Sequence, residues 1–500
     1  MNRGEIMIQY ISTRGSLERK SAAQAIIQGI AMDKGLFVPD RLPVLGQDIS
    51  QLIGKDYASI AYEVLSKYLD DFTNNEIHEA IEKAYDEKFE TEEIVPLVEK
   101  EGVFFLELYH GKTAAFKDIA LSILPHLLTT ALKKEKENRK IVILTATSGD
   151  TGKAALEGFA NVENTEIIVF YPSQGVSEIQ KRQMVTQKGQ NTHVIALKGN
   201  FDDAQNGVKK IFSDRLFNES IQKEGFMLSS ANSINIGRLI PQIVYYVYAY
   251  VKLLERNKIQ QGDKVNIVVP TGNFGNILAA YYAYKMGIPV NKFICASNRN
   301  KVLTDFLNTG VYDINRDFHV TNSPSMDILI SSNLERLLFH ISEGKTYEIK
   351  ALMEKLEKEK KYELPKYMKD EMRIFTGGYA DEKSTLKAIK EMYQKESYLI
   401  DTHTAVGYNV YLKYKRETGD NTPTIIASTA SPYKFTNSVM DAIAPEIQGS
   451  EFHLIEKLQQ MTGSGIPKAL RNLEKKEIRH HTITEKDQMA RRIKDILLKD

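Results

Sequence analysis

The sequence predicts an α/β fold with a largely parallel sheet covered on both faces. Three observations predict it. Runs dense in valine and isoleucine, such as Lys140–Thr147 and Val265–Pro270, alternate with segments of helical periodicity. Glycine-bearing loops at 148–152 and 271–276 each join a strand to a helix. The length, 500 residues, exceeds the size of one core, so two or three domains are expected.

Taken in order, Ser16–Asp33 carries Ala22, Ile26, Ile27 and Ile30 on one helical face, with a stop at Gly35 and Pro39 beyond. Tyr57–Tyr68 and Asn75–Phe89 are further helical segments, the second with Asn74 or Asn75 as cap. Residues 1–95 therefore read as a mostly helical unit without evident chemistry, a structural cover for the rest of the chain. Val103–Leu108 is an apolar run bounded by Gly102, hence a strand, and Asp118–Leu132 has helical spacing. Beyond the strand Lys140–Thr147 come the loop 148–152 and a helix Lys153–Asn161. Strands Ile167–Tyr171 and Val194–Leu197, a helix Asp202–Phe212 and the apolar helix Ile240–Leu254 come next. Val265–Pro270 leads through the second loop into a helix Ile277–Met286. Phe293–Ala296, Tyr398–Ile400 and Thr424–Ser428 supply later strands. The stretch 334–395 is strongly charged, and Lys355–Lys361 reads as a solvated helix end or an insertion. Residues 456–500 read as a C-terminal helical extension. The chain has no fixed-period repeat.

Hydrophobic content of 42% with 26% charged residues fits an ordinary globular protein. Sixty-six basic against 65 acidic residues leave a net charge of +1, so no global field attracts nucleic acid or a membrane surface. A single cysteine, Cys295, excludes an internal disulfide or a cysteine-based metal cluster; its apolar run makes it a buried hydrophobe. Met1–Glu5 lacks the apolar core of a signal peptide. Ile240–Leu254 contains four tyrosines, Gln242 and Lys252, too short and too polar for a membrane span. A cytoplasmic location is the resulting expectation.

The residues that carry chemistry lie in loops. Lys117 follows Phe116 at the start of a helix, where the helix dipole favours anions and gives its ammonium nothing. Apolar neighbours would lower its pKa, and such a lysine attacks a carbonyl carbon. Open parallel sheets bind ligands beyond the carboxyl ends of their strands, where both glycine loops sit. Thr271-Gly272-Asn273-Phe274-Gly275-Asn276 suits a phosphate dianion at a helix N-terminus; a tight structural turn is the alternative. It matches neither the Walker pattern nor the dinucleotide fingerprint, which weakens ATP or NAD use. Ser148-Gly149-Asp150-Thr151-Gly152 suits an amino-acid carboxylate, or simply a helix start capped by Ser148 or Asp150. Asn232, Ser233, Asn235 and Arg238 could hold a second anion. A hydroxyl after the last strand, in Ser428–Phe435, could meet an aromatic nitrogen or cap a helix. A nucleophilic lysine, a phosphate cradle and a carboxylate loop together point to pyridoxal 5'-phosphate.

At these residues the chain resembles the threonine synthases, in their long form with an N-terminal domain, within the tryptophan-synthase-β-like fold type II of pyridoxal phosphate enzymes. The matching stretches run through nearly the whole chain. They are Gly35–Pro39, His110–Thr113, Ala115–Asp118, Thr145–Gly152, Ser230–Asn235, Gly272–Gly275, His403–Gly407 and Thr429-Ala430. The resemblance implies a catalytic region over 96–455 made of two α/β lobes, the smaller and mobile one at roughly 110–230. It implies conversion of O-phospho-L-homoserine and water to L-threonine and phosphate, by a monomer or homodimer. Lys117, with Phe116 beside it, would be the Schiff-base lysine and proton shuttle. Gly272, Asn273, Phe274, Gly275 and Asn276 would hold the cofactor phosphate, and Thr429 the pyridine nitrogen. Ser148, Asp150 and Thr151 would meet the substrate carboxylate; Asn232, Ser233, Asn235 and Arg238 would meet the leaving phosphate. The chain departs from the family pattern at Lys112 and Thr402, usually proline, and at Ser431, usually histidine. Rival readings are a dehydratase or phospho-amino-acid lyase of the same fold, or a ligand-sensing relative without catalysis.

Overall fold

In the computed structural model, which describes residues 7–46, 48–147, 149–174 and 176–498, the chain opens with a small antiparallel sheet. Its strands β1 (Tyr10–Ser12), β2 (Arg19–Lys20) and β3 (Phe37–Pro39) stand in the order β2-β1-β3. The helix expected over Ser16–Asp33 is confined to Ala22–Gln28. Ser21 and Gln24 close a capping box at its start, and Gly29, at φ +75°, ends it well before Gly35. Helices Tyr57–Tyr68 and Asn74–Ala84 come next. Thr73, in a capping box with Glu76, starts the second, so neither Asn74 nor Asn75 is the cap.

Strands β4 (Leu97–Lys100) and β5 (Val103–Glu107) form an antiparallel hairpin, and the helix Lys117–Lys134 succeeds them. Next come β6 (Lys140–Ala146), β7 (Thr165–Pro172), β8 (Thr192–Leu197) and β9 (Phe226–Ser229), with helices between them. The helix Ile236–Glu255 leads to β10 (Val265–Pro270), and the helix Gly275–Lys285 to β11 (Val290–Ser297). The remaining strands are β12 (Val311–Asp313), β13 (Lys361–Glu363), β14 (Phe375–Tyr379), β15 (Thr424–Ser428) and β16 (Thr482–Thr484).

Two parallel α/β lobes result. The larger sheet has the order β14-β11-β10-β15-β5-β4, antiparallel only where β4 meets β5. The smaller sheet, β16-β8-β7-β6-β9, is parallel throughout. The helix Ile236–Glu255 is apolar nearly all round and correspondingly enclosed, packed on helices Tyr57–Tyr68, Lys117–Lys134 and Gly275–Lys285. Tyr245, Tyr246, Tyr248 and Tyr250 are all buried there. No helix among the described residues is long and apolar enough to cross a membrane. Cys295 is buried in β11, and burial pushes its thiol up to about 12.

Two readings of the sequence are corrected. Tyr398–Ile400 is not a strand: it leads into Asp401, whose carboxylate caps the helix Thr402–Thr418 by accepting from the N–H groups of His403 and Thr404. Its apolar residues are buried without pairing, which periodicity over three residues does not reveal. Nor is the segment after 456 wholly helical. The β-branched triplet Thr482–Thr484 adds to the edge of the smaller sheet beside β8.

Candidate active site

In the larger sheet β10, β15 and β5 are adjacent and parallel, so the loops leaving their carboxyl ends share one rim. These loops carry the Gly272–Asn276 turn, Thr429 and Lys117. The last two are zipped together by backbone: Phe116 N–H donates to the Thr429 carbonyl at 2.8 Å, and Ser431 N–H to that of Ala114 at 3.1 Å. The turn before Lys117 is held by Asp118, which accepts from Thr113 N–H at 2.8 Å and from its hydroxyl at 2.6 Å. Gly111 is required there, since a Cβ would lie 2.5 Å from that of Asp118. Lys117 thereby becomes the first residue of its helix. Only 9% of it is exposed, with Nζ 5.2 Å from the Phe116 ring centroid.

The Lys117 ammonium lies 3.5 Å from Oδ2 of Asp150, on the smaller lobe. Burial lowers the lysine pKa, although Asp150 works against the shift. Asp150 Oδ1 accepts from Lys434 Nζ at 2.6 Å and from Gln180 Nε2 at 2.8 Å. Burial alone would raise the Asp150 carboxyl, but Lys434 and then Lys117 overcome it and hold it well below the usual carboxylate range. The expected roles in this loop change accordingly. Asp150 is not a helix cap: Gly149, at φ +148°, occupies that position without a side-chain bond. An ionised Asp150 repels a substrate carboxylate, so its side chain serves as counter-ion to two lysines. Thr147 Oγ1 shapes the loop by accepting from the N–H groups of Gly149 and Gly152, both at 2.9 Å. Thr151 is half-buried, and Ser148 lies outside the described residues.

The Gly272–Asn276 turn has its carbonyls tied off. Ser331 Oγ donates to Gly272 O at 2.7 Å, and Asn333 donates to Asn273 O through its backbone N–H at 3.1 Å and Nδ2 at 3.0 Å. In a trans peptide the following N–H points the opposite way, so the N–H groups of Asn273 and Phe274 turn from these anchors. Phe274, left-handed at φ +62°, caps the helix Gly275–Lys285 without a side-chain bond. Asn276 accepts the Tyr246 hydroxyl on Oδ1, while its buried Nδ2 has no partner among the described residues. Gly272 passes so close to Ser325 that a Cβ would lie 2.5 Å from that carbonyl oxygen. A buried unpaired amide beside the free N–H groups of a helix start fits a phosphate dianion.

Arg238 is 3% exposed, and burial lowers its pKa to about 10. Its Nη1 donates to Ala231 O at 2.8 Å, and its Nε has no partner among the described residues. Asn232 and Ser233 are half-buried nearby in sequence. Asn235 does not join them. Its Nδ2 donates to the carbonyls of Ile26 and Ser230 at 3.0 and 3.1 Å, and its Oδ1 accepts Gly237 N–H at 2.9 Å. With every amide hydrogen engaged, it docks the N-terminal unit instead of facing a ligand.

Sequence reasoning missed Lys434, Gln180 and His403. Lys434 stands in a polar run after β15, and nothing in its spacing marks it as buried. His403 is held by Asp401, with Nδ1 2.7 Å from Oδ2, and its Nε2 accepts Ser325 N–H at 3.1 Å. With Nε2 accepting, the Nδ1 edge of the ring donates to Asp401. The departures at Lys112 and Ser431 are accommodated. Lys112 pairs with Glu157 at 3.3 Å, and Ser431 accepts Tyr433 N–H at 3.3 Å.

Two parallel lobes, a buried lysine on the rim and an Asn-Phe anion turn define a fold type II pyridoxal-phosphate-dependent enzyme. Family models agree: "Pyridoxal-phosphate dependent enzyme" matches residues 89–429, "Threonine synthase N terminus" 9–85 and "Threonine synthase, C-terminal" 404–494. The chain is 36% identical over 457 residues to threonine synthase of Pseudomonas aeruginosa, covering 91% of this chain and 94% of that protein. The crystal structure of PLP-bound threonine synthase from Brucella melitensis superposes with a TM-score of 0.86 at 33% identity, covering 98% of each chain. Human "Threonine synthase-like 1" is 40% identical over 456 residues, covering 87% of this chain, which spans 60% of that protein's length. The chain belongs to the threonine synthase family.

Proposed function

We propose that the chain binds pyridoxal 5'-phosphate and converts O-phospho-L-homoserine and water to L-threonine and phosphate, as a carbon–oxygen lyase in the cytoplasm. The observation that carries this reading is Lys117, buried at the start of the helix that follows β5 with a lowered pKa, on the same rim as the Gly272–Asn276 turn. Lys117 holds the cofactor aldehyde, with Phe116 beside it. Gly272, Asn273, Phe274, Gly275 and Asn276 hold its phosphate, and the Thr429 hydroxyl meets its pyridine nitrogen. When bound, the cofactor supplies an electron sink for charge developing at the substrate α-carbon.

The remaining chemistry belongs to this chain's residues. A lysine accepts a proton only as the neutral amine, and burial of Lys117 raises that fraction at neutral pH. Its amine takes the proton from Cα, passes it on, and takes one from Cβ as phosphate leaves Cγ; a proton returns to Cγ, water adds its oxygen at Cβ, and a proton returns to Cα. Asp150 holds Lys117 in place between these transfers and offers substrate only its backbone N–H. That group, with Ser148 and Thr151, receives the substrate carboxylate at the helix start. Arg238, whose Nε lacks a partner among the described residues, receives the leaving phosphate with Asn232 and Ser233. Closure of the smaller lobe excludes stray water.

Purified protein should show the visible absorbance of a lysine-bound cofactor and release phosphate and threonine from O-phosphohomoserine. Production of 2-oxobutyrate and ammonia without threonine would assign a dehydratase activity instead. Absence of any turnover in a yellow protein would favour a ligand-sensing role. Lys117→Ala should lose both colour and turnover, and a yellow, active variant would refute the assigned residue.

A further inference from the structure

Arg336 lies in the first turn of the helix Leu334–Ile341 and is completely buried. Its three nitrogens serve three separate segments. Nε donates to Phe37 O in β3 at 2.9 Å, Nη2 to Ile234 O at 2.6 Å, and Nη1 to Asn333 Oδ1 at 2.5 Å. These acceptors belong to the N-terminal sheet, the loop ahead of Arg238, and the residue that anchors Asn273 O. All are neutral oxygens, so the buried charge is held by a fork of hydrogen bonds and not by a carboxylate. Burial lowers its pKa to about 10. The neighbouring Glu335 fixes the same helix to the N-terminal unit from its other side. It accepts from Arg14 Nε and Nη2, both at 2.8 Å, and from the Thr13 hydroxyl at 2.5 Å.

The Asn333 amide has two ends, and Arg336 decides which way it faces. With Oδ1 taken by Nη1, Nδ2 must point to Asn273 O, where it joins the Asn333 backbone N–H in keeping that carbonyl out of the anion turn. We propose that Arg336 is a positioning residue through which the N-terminal unit orders the cofactor-phosphate turn: Phe37 O seats the guanidinium, the guanidinium orients Asn333, and Asn333 aims the turn's N–H groups at the phosphate. This assignment rests on the proposed binding of pyridoxal 5'-phosphate and gives the N-terminal unit a part in ligand binding beyond covering the core. A lysine cannot replace Arg336, because three fixed donors in one plane are needed.

The test compares pyridoxal 5'-phosphate with pyridoxal, which lacks the phosphate, by titrating full-length cofactor-free protein and monitoring visible absorbance. Wild type should bind the phosphorylated form far more tightly. Arg336→Lys should cut that preference about tenfold, the worth of one misaligned anchor, while affinity for pyridoxal stays unchanged. Arg14→Ala, which loosens the same docking surface without touching Asn333, should lower the thermal midpoint and leave the preference intact. Asn333→Asp keeps an acceptor for Arg336 but opposes Asn273 O with a second oxygen. It should show the same tenfold loss, and it decides the matter should Arg336→Lys not fold. An unchanged preference in the folded variants, or equal losses for both ligands in step with the thermal midpoint, would overturn the positioning role. No preference in wild type would overturn the cofactor reading itself.

Discussion

Replacing Lys434 by methionine keeps the length of the side chain and deletes its charge. In the wild type the ammonium is fully buried, 2.6 Å from Asp150 Oδ1, and donates to Thr113 O at 2.9 Å. Removing it leaves a buried carboxylate with Lys117 and Gln180 alone among the described residues, and breaking a buried pair in this way costs roughly 3–5 kcal/mol. For a lobe of this size that lowers the thermal midpoint by on the order of 10 °C. A second consequence concerns pH. Lys434 also depresses the pKa of Lys117, so its loss raises that pKa. A smaller fraction of Lys117 is then neutral at pH 7, and the midpoint for cofactor capture moves to alkaline pH. Asp150→Asn acts with the opposite sign, because Asp150 raises the Lys117 pKa, and its midpoint should move to acid pH. The double variant, with neither charge, should recover more than half of the lost thermal stability. The assay is the initial rate at which visible absorbance develops after pyridoxal phosphate is added, measured across pH, beside thermal unfolding. A Lys434→Met protein with wild-type stability and an unmoved midpoint would refute the argument that these three charges form one unit.

Two further substitutions probe other parts of the structure. Gly272→Ala places a Cβ 2.5 Å from Ser325 O, and relieving that overlap costs about 1–3 kcal/mol, so cofactor affinity should fall tenfold or more while the fold persists. Wild-type affinity in this variant would show that the turn has slack. His340, enclosed by aromatic rings with Nε2 2.8 Å from the Tyr282 hydroxyl, has its pKa pushed down to about 3 by burial and by Lys285 and Arg336. Its folded pKa is below its unfolded one, so the unfolded chain takes up the proton first. Stability is therefore lost as pH falls from about 6.5 towards 3, by roughly 1–2 kcal/mol at pH 5. His340→Gln should flatten this loss in denaturant midpoints measured at pH 7 and pH 5. Equal losses in both proteins would exclude His340 as the cause.

The parallel lobes were legible because their strands carry valine and isoleucine at both faces and end in glycine loops. Lys117 and the Gly272–Asn276 turn were legible for the same reason: strand, turn and helix are local patterns. What periodicity could not supply was long-range pairing. Lys434 meets Asp150 from 284 positions away in the numbering, and Arg336 meets Phe37 across 299. No local signal distinguishes either from a solvated surface cation. Asn235 shows the converse error. Its place in a polar run beside Arg238 suggested a ligand, but its hydrogens were already committed to Ile26 and Ser230. The short β16 was hidden in a charged tail because three residues are too few to show alternation.

The charge balance of the rim explains why these buried groups tolerate their position. Lys117, Lys434 and Arg238 are all buried, the first close enough to the other two for both to depress its pKa. Asp150 is the carboxylate held ionised among them. Burial instead raises the pKa of Asp118, whose carboxyl is occupied by Thr113. Positive charge thus outweighs negative in a desolvated space, which costs free energy unless an anion enters. The phosphorylated cofactor and the proposed substrate, which bears a phosphate and a carboxylate, would supply that negative charge. On the proposed assignment, a substrate without a phosphate would leave Arg238 Nε as unpaired as it is among the described residues. On the proposed function, a preference for anionic ligands arises from this excess of buried cations, and the proposed selectivity against unphosphorylated amino acids has its origin in the same imbalance.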